Sequence, residues 1–221
     1  MTIILRRFRN NWLWLFLLIF TNQAFAEQSV PAEIAAYMDR ISAINLLDEK
    51  EQEVPYKQLL AEAETYLQSH EGQAEAWVVT AMSRASYARS QGMSALGLMK
   101  KVRKELETAI DLNPRVMNGY ANSFLGRLYF LLPAWPISYG SDKKARHYIE
   151  ESLATNDQSM ENHFAYGWYW SHEKQYDKAK LHLQQAKNLP SVISNANWVN
   201  YIQKQIDDLL EYVDKELSQG E

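Results

Sequence analysis

The chain has no cysteine. That absence excludes disulfide staples, thiol catalysis, thiolate zinc sites and iron–sulfur clusters. It also leaves no lipobox cysteine to carry a lipid anchor. Glycine (8) and proline (6) are scarce among 221 residues, so collagen-like and proline-rich disordered compositions are excluded as well. No Gly-x-Ser-x-Gly, phosphate loop or glycine-rich dinucleotide turn occurs in the chain. The five histidines, His70, His147, His163, His172 and His182, lack the His-Glu-x-x-His spacing of a zinc site, because Tyr176 stands where His172-Glu173 would need its partner. Glu150 and Glu151 are neighbours in sequence, so on a helix they point apart and cannot flank one bond. Chemistry needs placed groups, and these gaps lead to a non-enzymatic reading with no cofactor and no metal.

Long apolar runs are also missing. The longest, Trp12–Phe20, has nine residues, whereas a spanning helix needs roughly 20. It follows a basic head of Arg6, Arg7 and Arg9, and it ends at Thr21-Asn22-Gln23 before the small-residue step Ala24-Phe25-Ala26. That order predicts a signal peptide over residues 1–26 and a periplasmic or secreted mature chain, with an uncleaved N-terminal anchor as the other reading. Cleavage after Ala26 would leave 195 residues with 20 Lys and Arg against 27 Asp and Glu, a formal charge of −7. Nucleic-acid binding needs a basic footprint and is not expected. The cluster Lys100, Lys101, Arg103 and Lys104 is flanked by Glu105 and Glu107 and reads as a solvated helix face. The acidic stretch 48–53 reads as a solvated linker on the same grounds.

Apolar residues recur at three- and four-residue spacing almost throughout, which predicts helices. The stripes are Ile34, Met38, Ile41, Ile44; Leu59, Leu60, Ala63, Leu67; Trp77, Val78, Ala81, Ala85, Ala88; and Leu98, Val102, Leu106, Ala109, Ile110. All six prolines are expected between stripes, where a missing N–H does no harm. The prediction is eight helices in antiparallel pairs over about 31–70, 73–114, 117–157 and 159–190, with a final helix at 195–217. The stripe Trp198, Ile202, Ile206, Leu209 and Leu210 suits a cap.

A repeat runs through this pattern. Ala145, Ile149 and Ser152 recur 34 residues later as Ala179, Leu183 and Ala186, a small–large–small signature. Small side chains let two helices of a hairpin approach, and the large one fills the gap toward the next unit. Leu125-Gly126 precedes Tyr129, Tyr166-Gly167 precedes Trp170, and Ala109 leads to Pro114. The interval from Gly126 to Ser152 is seven residues longer than that from Gly167 to Ala186, which places an insertion between paired helices. Tyr66 stands where a small residue is expected, so the first unit is degenerate; terminal repeats are often atypical.

These residues resemble the tetratricopeptide repeat proteins over about 55–190. The resemblance implies an all-α, right-handed solenoid of about four helical hairpins plus the C-terminal capping helix, in a single domain 27–221. The segment from Leu125 through Leu132-Pro133 and Gly140 to Lys144-Ala145 is similar to the T-component of certain periplasmic TRAP transporters, although the lipoprotein cysteine of many such components is absent here. That similarity implies a periplasmic scaffold for a protein or peptide partner, such as a solute-binding protein. The alternative it implies is a small-molecule carrier, with an apolar ligand between units or in an oligomeric pore.

Two segments are candidate binding surfaces. In the insertion 131–144, Pro133 and Pro136 stiffen the chain around Trp135, while Tyr139 precedes Gly140, expected at positive φ. Ser141 suits a helix N-cap, with Asp142 favourable in the first turn. Trp135 and Tyr139, with Tyr129, could form a recognition hot spot, or Trp135 could fold back into the groove between units. The second segment holds Phe164, Tyr166, Trp168, Tyr169 and Trp170, which wrap around a helix and cannot all face one core. Some are expected on the concave surface or in an inter-unit groove; ordinary helix packing is the competing expectation.

Overall fold

The computed structural model describes residues 30–91 and 95–219. The predicted signal peptide 1–26 lies outside the described residues. Among those described, the chain is all-α: α1 Ala32–Asn45, α2 Glu53–Ser69, α3 Ala74–Arg89, α4 Ala95–Leu112, α5 Tyr120–Leu131, α6 Asp142–Thr155, α7 Met160–His172, α8 Tyr176–Asn188 and α9 Ala196–Gln219. None of these helices is long and apolar enough to cross a membrane. Consecutive helices pack as hairpins, α3 on α4, α5 on α6 and α7 on α8, while α1 also packs on α3 and α5 on α7.

The boundaries follow from local chemistry. Ser141 caps α6 by accepting from the Lys144 backbone N–H at 3.3 Å, and Ser159 does the same for α7 through Asn162 at 3.3 Å. Pro55 does not separate two elements; it lies in the first turn of α2, where its missing N–H has no helical partner to lose. The turn into α5 runs through three residues of positive φ, Met117 (47°), Asn118 (53°) and Gly119 (88°). Gly119 is required twice over, since a Cβ there would also sit 2.9 Å from the Ser152 carbonyl oxygen. Gly140, by contrast, has no positive φ. Its need is steric: the chain doubles back so tightly that a Cβ would meet the Leu132 carbonyl oxygen at 1.8 Å.

The 34-residue repeat appears as packing. Ala145, Ile149, Ser152, Ala179, Leu183 and Ala186 are all fully buried. Ile149 lies over Gly126 and Leu183 over Gly167, so the large residue of each set meets the glycine of its own hairpin rather than only the next unit. The reason is that glycine removes the one side chain that would hold the helices apart.

Two buried polar hubs tie the hairpins together. Asn162 donates from Nδ2 to the carbonyls of Asn118 (2.9 Å), Ser152 (2.9 Å) and Asn156 (3.1 Å), joining the starts of α5 and α7 to the end of α6. Arg84 on α3 pairs with Glu105 on α4 at 2.6 Å, both side chains nearly inaccessible, and reaches Glu64 on α2 at 2.9 Å. Burial pushes the Glu105 carboxyl up, and Arg84 pulls it back toward the charged form. Glu105 therefore does not belong to a solvated face. It shares the buried stripe of Val102, Leu106 and Ala109, where its charge is held by a guanidinium instead of water.

Helix α9 does more than close one end. It packs on α8, crosses α7 and reaches α1. Its N-terminal half is pinned from three sides. Trp198 donates its indole N–H to the buried Glu161 of α7 at 3.0 Å, its ring meets Tyr120 of α5 edge-on at 6.0 Å, and Asn197 Nδ2 donates to Asp39 of α1 at 2.6 Å. Glu161 also accepts from the Val192 N–H (3.1 Å) and from the hydroxyls of Ser159 and Ser191.

Candidate functional site

Lying across α7 and α1, helix α9 roofs a cavity of about 220 Å³. An engineered apolar cavity of about 150 Å³ suffices to bind benzene. The floor comes from Ile41 and Asn45 of α1, Met82, Ala85, Ser86 and Arg89 of α3, and Met99 of α4. The walls come from Tyr120, Phe124, Arg127, Leu128 and Leu131 of α5 with Phe164 of α7, and the roof from Trp198, Tyr201, Ile202 and Gln205 of α9. The periodicity explains the convergence. On α5, Tyr120, Phe124, Arg127, Leu128 and Leu131 recur at helical spacing, so they share one face. A second depression of about 270 Å³ adjoins the first and shares Arg127, Phe164 and Gln205 with it, adding Trp168, His172, Asp208 and Leu209.

The lining is mostly apolar with a few polar groups, the usual character of a small-molecule pocket. Those groups are cationic or neutral: none of the cavity's lining side chains is a carboxylate or an imidazole. Arg127 lies 5.0 Å from the Trp168 ring and 5.4 Å from the Phe164 ring, and its Nε is buried without a hydrogen-bond partner. Burial pulls its pKa below the ordinary guanidinium range. Arg89, at the other side, is held through Nη2 by Asn45 Oδ1 and by the Tyr56 hydroxyl (3.0 Å). The Tyr120 hydroxyl is pushed well up by burial and stays protonated, a donor or acceptor for polar contact.

The residues singled out from sequence separate into three places. Tyr129 is buried between α5 and α6, stacked on Tyr148 at 5.6 Å, with its hydroxyl donating to Glu107 at 3.2 Å. Tyr139 packs edge-on against it at 5.3 Å, lies under Arg103 and donates to the Met99 carbonyl at 2.9 Å. Neither lines the cavity. Trp135 stands 85% exposed at the tip of the insertion, with Ile137 and Leu131 also exposed beside it. Of the α7 aromatics, Trp168 borders the second depression, close to Phe130, His172 and Arg127. Tyr166 packs edge-on to His182 at 4.5 Å, Tyr169 is buried against Phe130, and Trp170 lies under Lys178 at 4.3 Å. Phe164 and Trp168 are therefore the members of that run that reach the inner side. Sequence reasoning did not single out Arg127, Arg89, Tyr201 or Gln205. The signal for Arg127 was present, since it shares the stripe of Phe124, Leu128 and Leu131.

Among the described residues no group of three or more His, Asp or Glu is placed to hold a metal ion. No protein-family model matches the chain, and no curated protein matches it.

Proposed function

We propose that this chain is an exported, non-enzymatic helical-repeat protein of tetratricopeptide type that carries a small, largely apolar ligand in the cavity beneath α9. The observation that carries this reading is the position of α9. It covers side chains of α1, α3, α5 and α7 and encloses an apolar cavity with them, which supports a carrier over an open groove for an extended peptide. The leader-like segment at 1–26 supports export to the periplasm, and the Leu125–Ala145 layout supports kinship with TRAP T-components. A carrier accessory to solute transport fits both. Filling the cavity tests it. Ala85 lines the space with a single methyl, so Ala85→Phe should abolish uptake of a neutral apolar probe such as octan-1-ol while helical circular dichroism is retained. Native mass spectrometry showing no retained ligand in wild type, together with unchanged octanol uptake by the variant, would sink the proposal.

A second reading, a protein partner such as a solute-binding protein, is favoured by Leu131, Trp135 and Ile137. Trp135 and Ile137 are exposed on the loop that follows α5, and Leu131 is exposed at the end of α5. Periplasmic pull-downs with wild type and Trp135→Ala decide it: loss of a captured protein supports the loop as its contact, and identical partner sets remove Trp135 from the argument.

A further inference from the structure

The charge pattern of the cavity says more about its ligand than its volume does. The chain carries more Asp and Glu (27) than Lys and Arg (23), yet no carboxylate lines this cavity while two arginines do. Arg127 is the informative one. It forms no ion pair among the described residues, its neighbours are the rings of Phe164 and Trp168, and its Nε is buried and unbonded. The nearest acidic group at the adjoining depression, Asp208, is engaged by Lys204 at 2.6 Å. Arg127 is partly buried, and at its sealed Nε it has lost water and gained no counter-charge, which is costly. Ring faces return only part of that cost. A guanidinium fork left open toward a cavity matches a carboxylate in geometry as well as charge.

Resting on the carrier reading, we infer that the ligand is an amphiphilic monoanion: a carboxylate on an aliphatic or single-ring body, with its headgroup on Arg127. The body lies against Ile41, Met82, Leu128, Phe164 and Ile202, which are apolar and contiguous. Arg89 adds positive potential from the opposite side while its Nη2 stays with Asn45 and Tyr56. A single charge is argued because one guanidinium lacks partners, and the cavity has no room for a two-chain lipid.

The test compares octanoate with octan-1-ol at pH 7.5 by calorimetric titration of the full-length protein. Wild type should bind octanoate at least about tenfold more tightly than octanol, the worth of one charge-assisted hydrogen-bonded pair. Arg127→Met should bring that ratio close to one by weakening octanoate alone, and Arg127→Lys should restore part of it. Circular dichroism of each variant checks that the fold is kept. Equal affinity of wild type for the two ligands, or an undiminished preference in Arg127→Met, overturns the inference and leaves the carrier reading standing. Binding of neither ligand to wild type overturns both.

Discussion

Replacing Gly126 with alanine adds one methyl group to the tightest contact in the α5–α6 hairpin. In an exposed helix the change is favourable by about 1 kcal/mol, because alanine has less backbone freedom to lose than glycine. Here the new Cβ would stand 2.6 Å from Ile149 Cγ1, 2.9 Å from the Ala145 carbonyl oxygen and 3.0 Å from the Ile149 backbone nitrogen. A side-chain tip can rotate away, but the two backbone atoms cannot move without lifting α6 off α5. Overpacking of this kind costs about 1–3 kcal/mol, at times more. The α6 stripe of Ala145, Ile149 and Ser152 would also lose contact along its length. The net expectation is a loss of about 1–2 kcal/mol, or a fall in Tm of roughly 2–8 °C for a chain of this size. Gly97→Ala is the internal control. That glycine sits on the exposed side of α4 with nothing within 4 Å of a built Cβ, so the same methyl should raise stability by roughly 0.5–1 kcal/mol. Urea denaturation of the two variants beside wild type reads both signs. Gly126→Ala shifting the midpoint upward as Gly97→Ala does would refute the close-approach account of the repeat.

Three further outcomes follow from the packing. Arg84→Ala strands the buried Glu105 and should cost about 3–5 kcal/mol by urea titration, whereas replacing both partners with Met and Leu should cost much less; equal losses would refute the pair's role. His182 faces His163 at 3.1 Å, and burial, then the His163 charge, hold its pKa down to about 4, below the unfolded value of 6.5. Its contribution is thus complete above pH 6.5 and lost on acidification toward 4. Discounted for its partial exposure, the loss between pH 7.5 and 5.5 should be about 1 kcal/mol. His182→Gln should flatten that slope, and an unaltered slope would exclude the pair as its source. Arg127→Met should raise the stability of the ligand-free protein by up to about 1 kcal/mol, since it removes a partly buried charge whose Nε has no partner; a lower Tm would mean that the guanidinium is already satisfied.

The helices and the hairpin contacts were legible because both are local. The spacing of Ile34, Met38 and Ile41, or of Gly126 and Gly167 against Ile149 and Leu183, depends on neighbours a few residues or one hairpin away. The caps at Ser141 and Ser159 are local in the same way. One misreading came from letting charge outrank period. Glu105 lies in a run of charges, yet Val102, Glu105, Leu106 and Ala109 stand at i, i+3, i+4 and i+7, which marks its buried face. Arg127 stands in the same way on the apolar face of Phe124, Leu128 and Leu131. The conformation of Gly140 was out of reach, because its constraint is the Leu132 carbonyl folded back upon it.

The course of α9 was illegible for a different reason. Trp198, Ile202, Ile206 and Leu209 announce an apolar stripe, but a stripe states that something covers it, not what. Lying beyond α8, the helix could cap the array or turn inward, and periodicity is the same in either case. The polar ties decide it. Glu161 at the second position of α7 is buried and accepts from Trp198, and Asp39 of α1 accepts from Asn197, so the start of α9 is held to helices 37 and 158 residues away in sequence. Its later half is held differently, by Lys187–Asp207 and Lys180–Asp214, both half-exposed and each worth about 0–1 kcal/mol in screened solvent. The roof is therefore tied by polar contacts at its start, over Tyr120, and by the fully buried Ile206 and Val213 against the core beyond Gln205, with the ion pairs only at its rim.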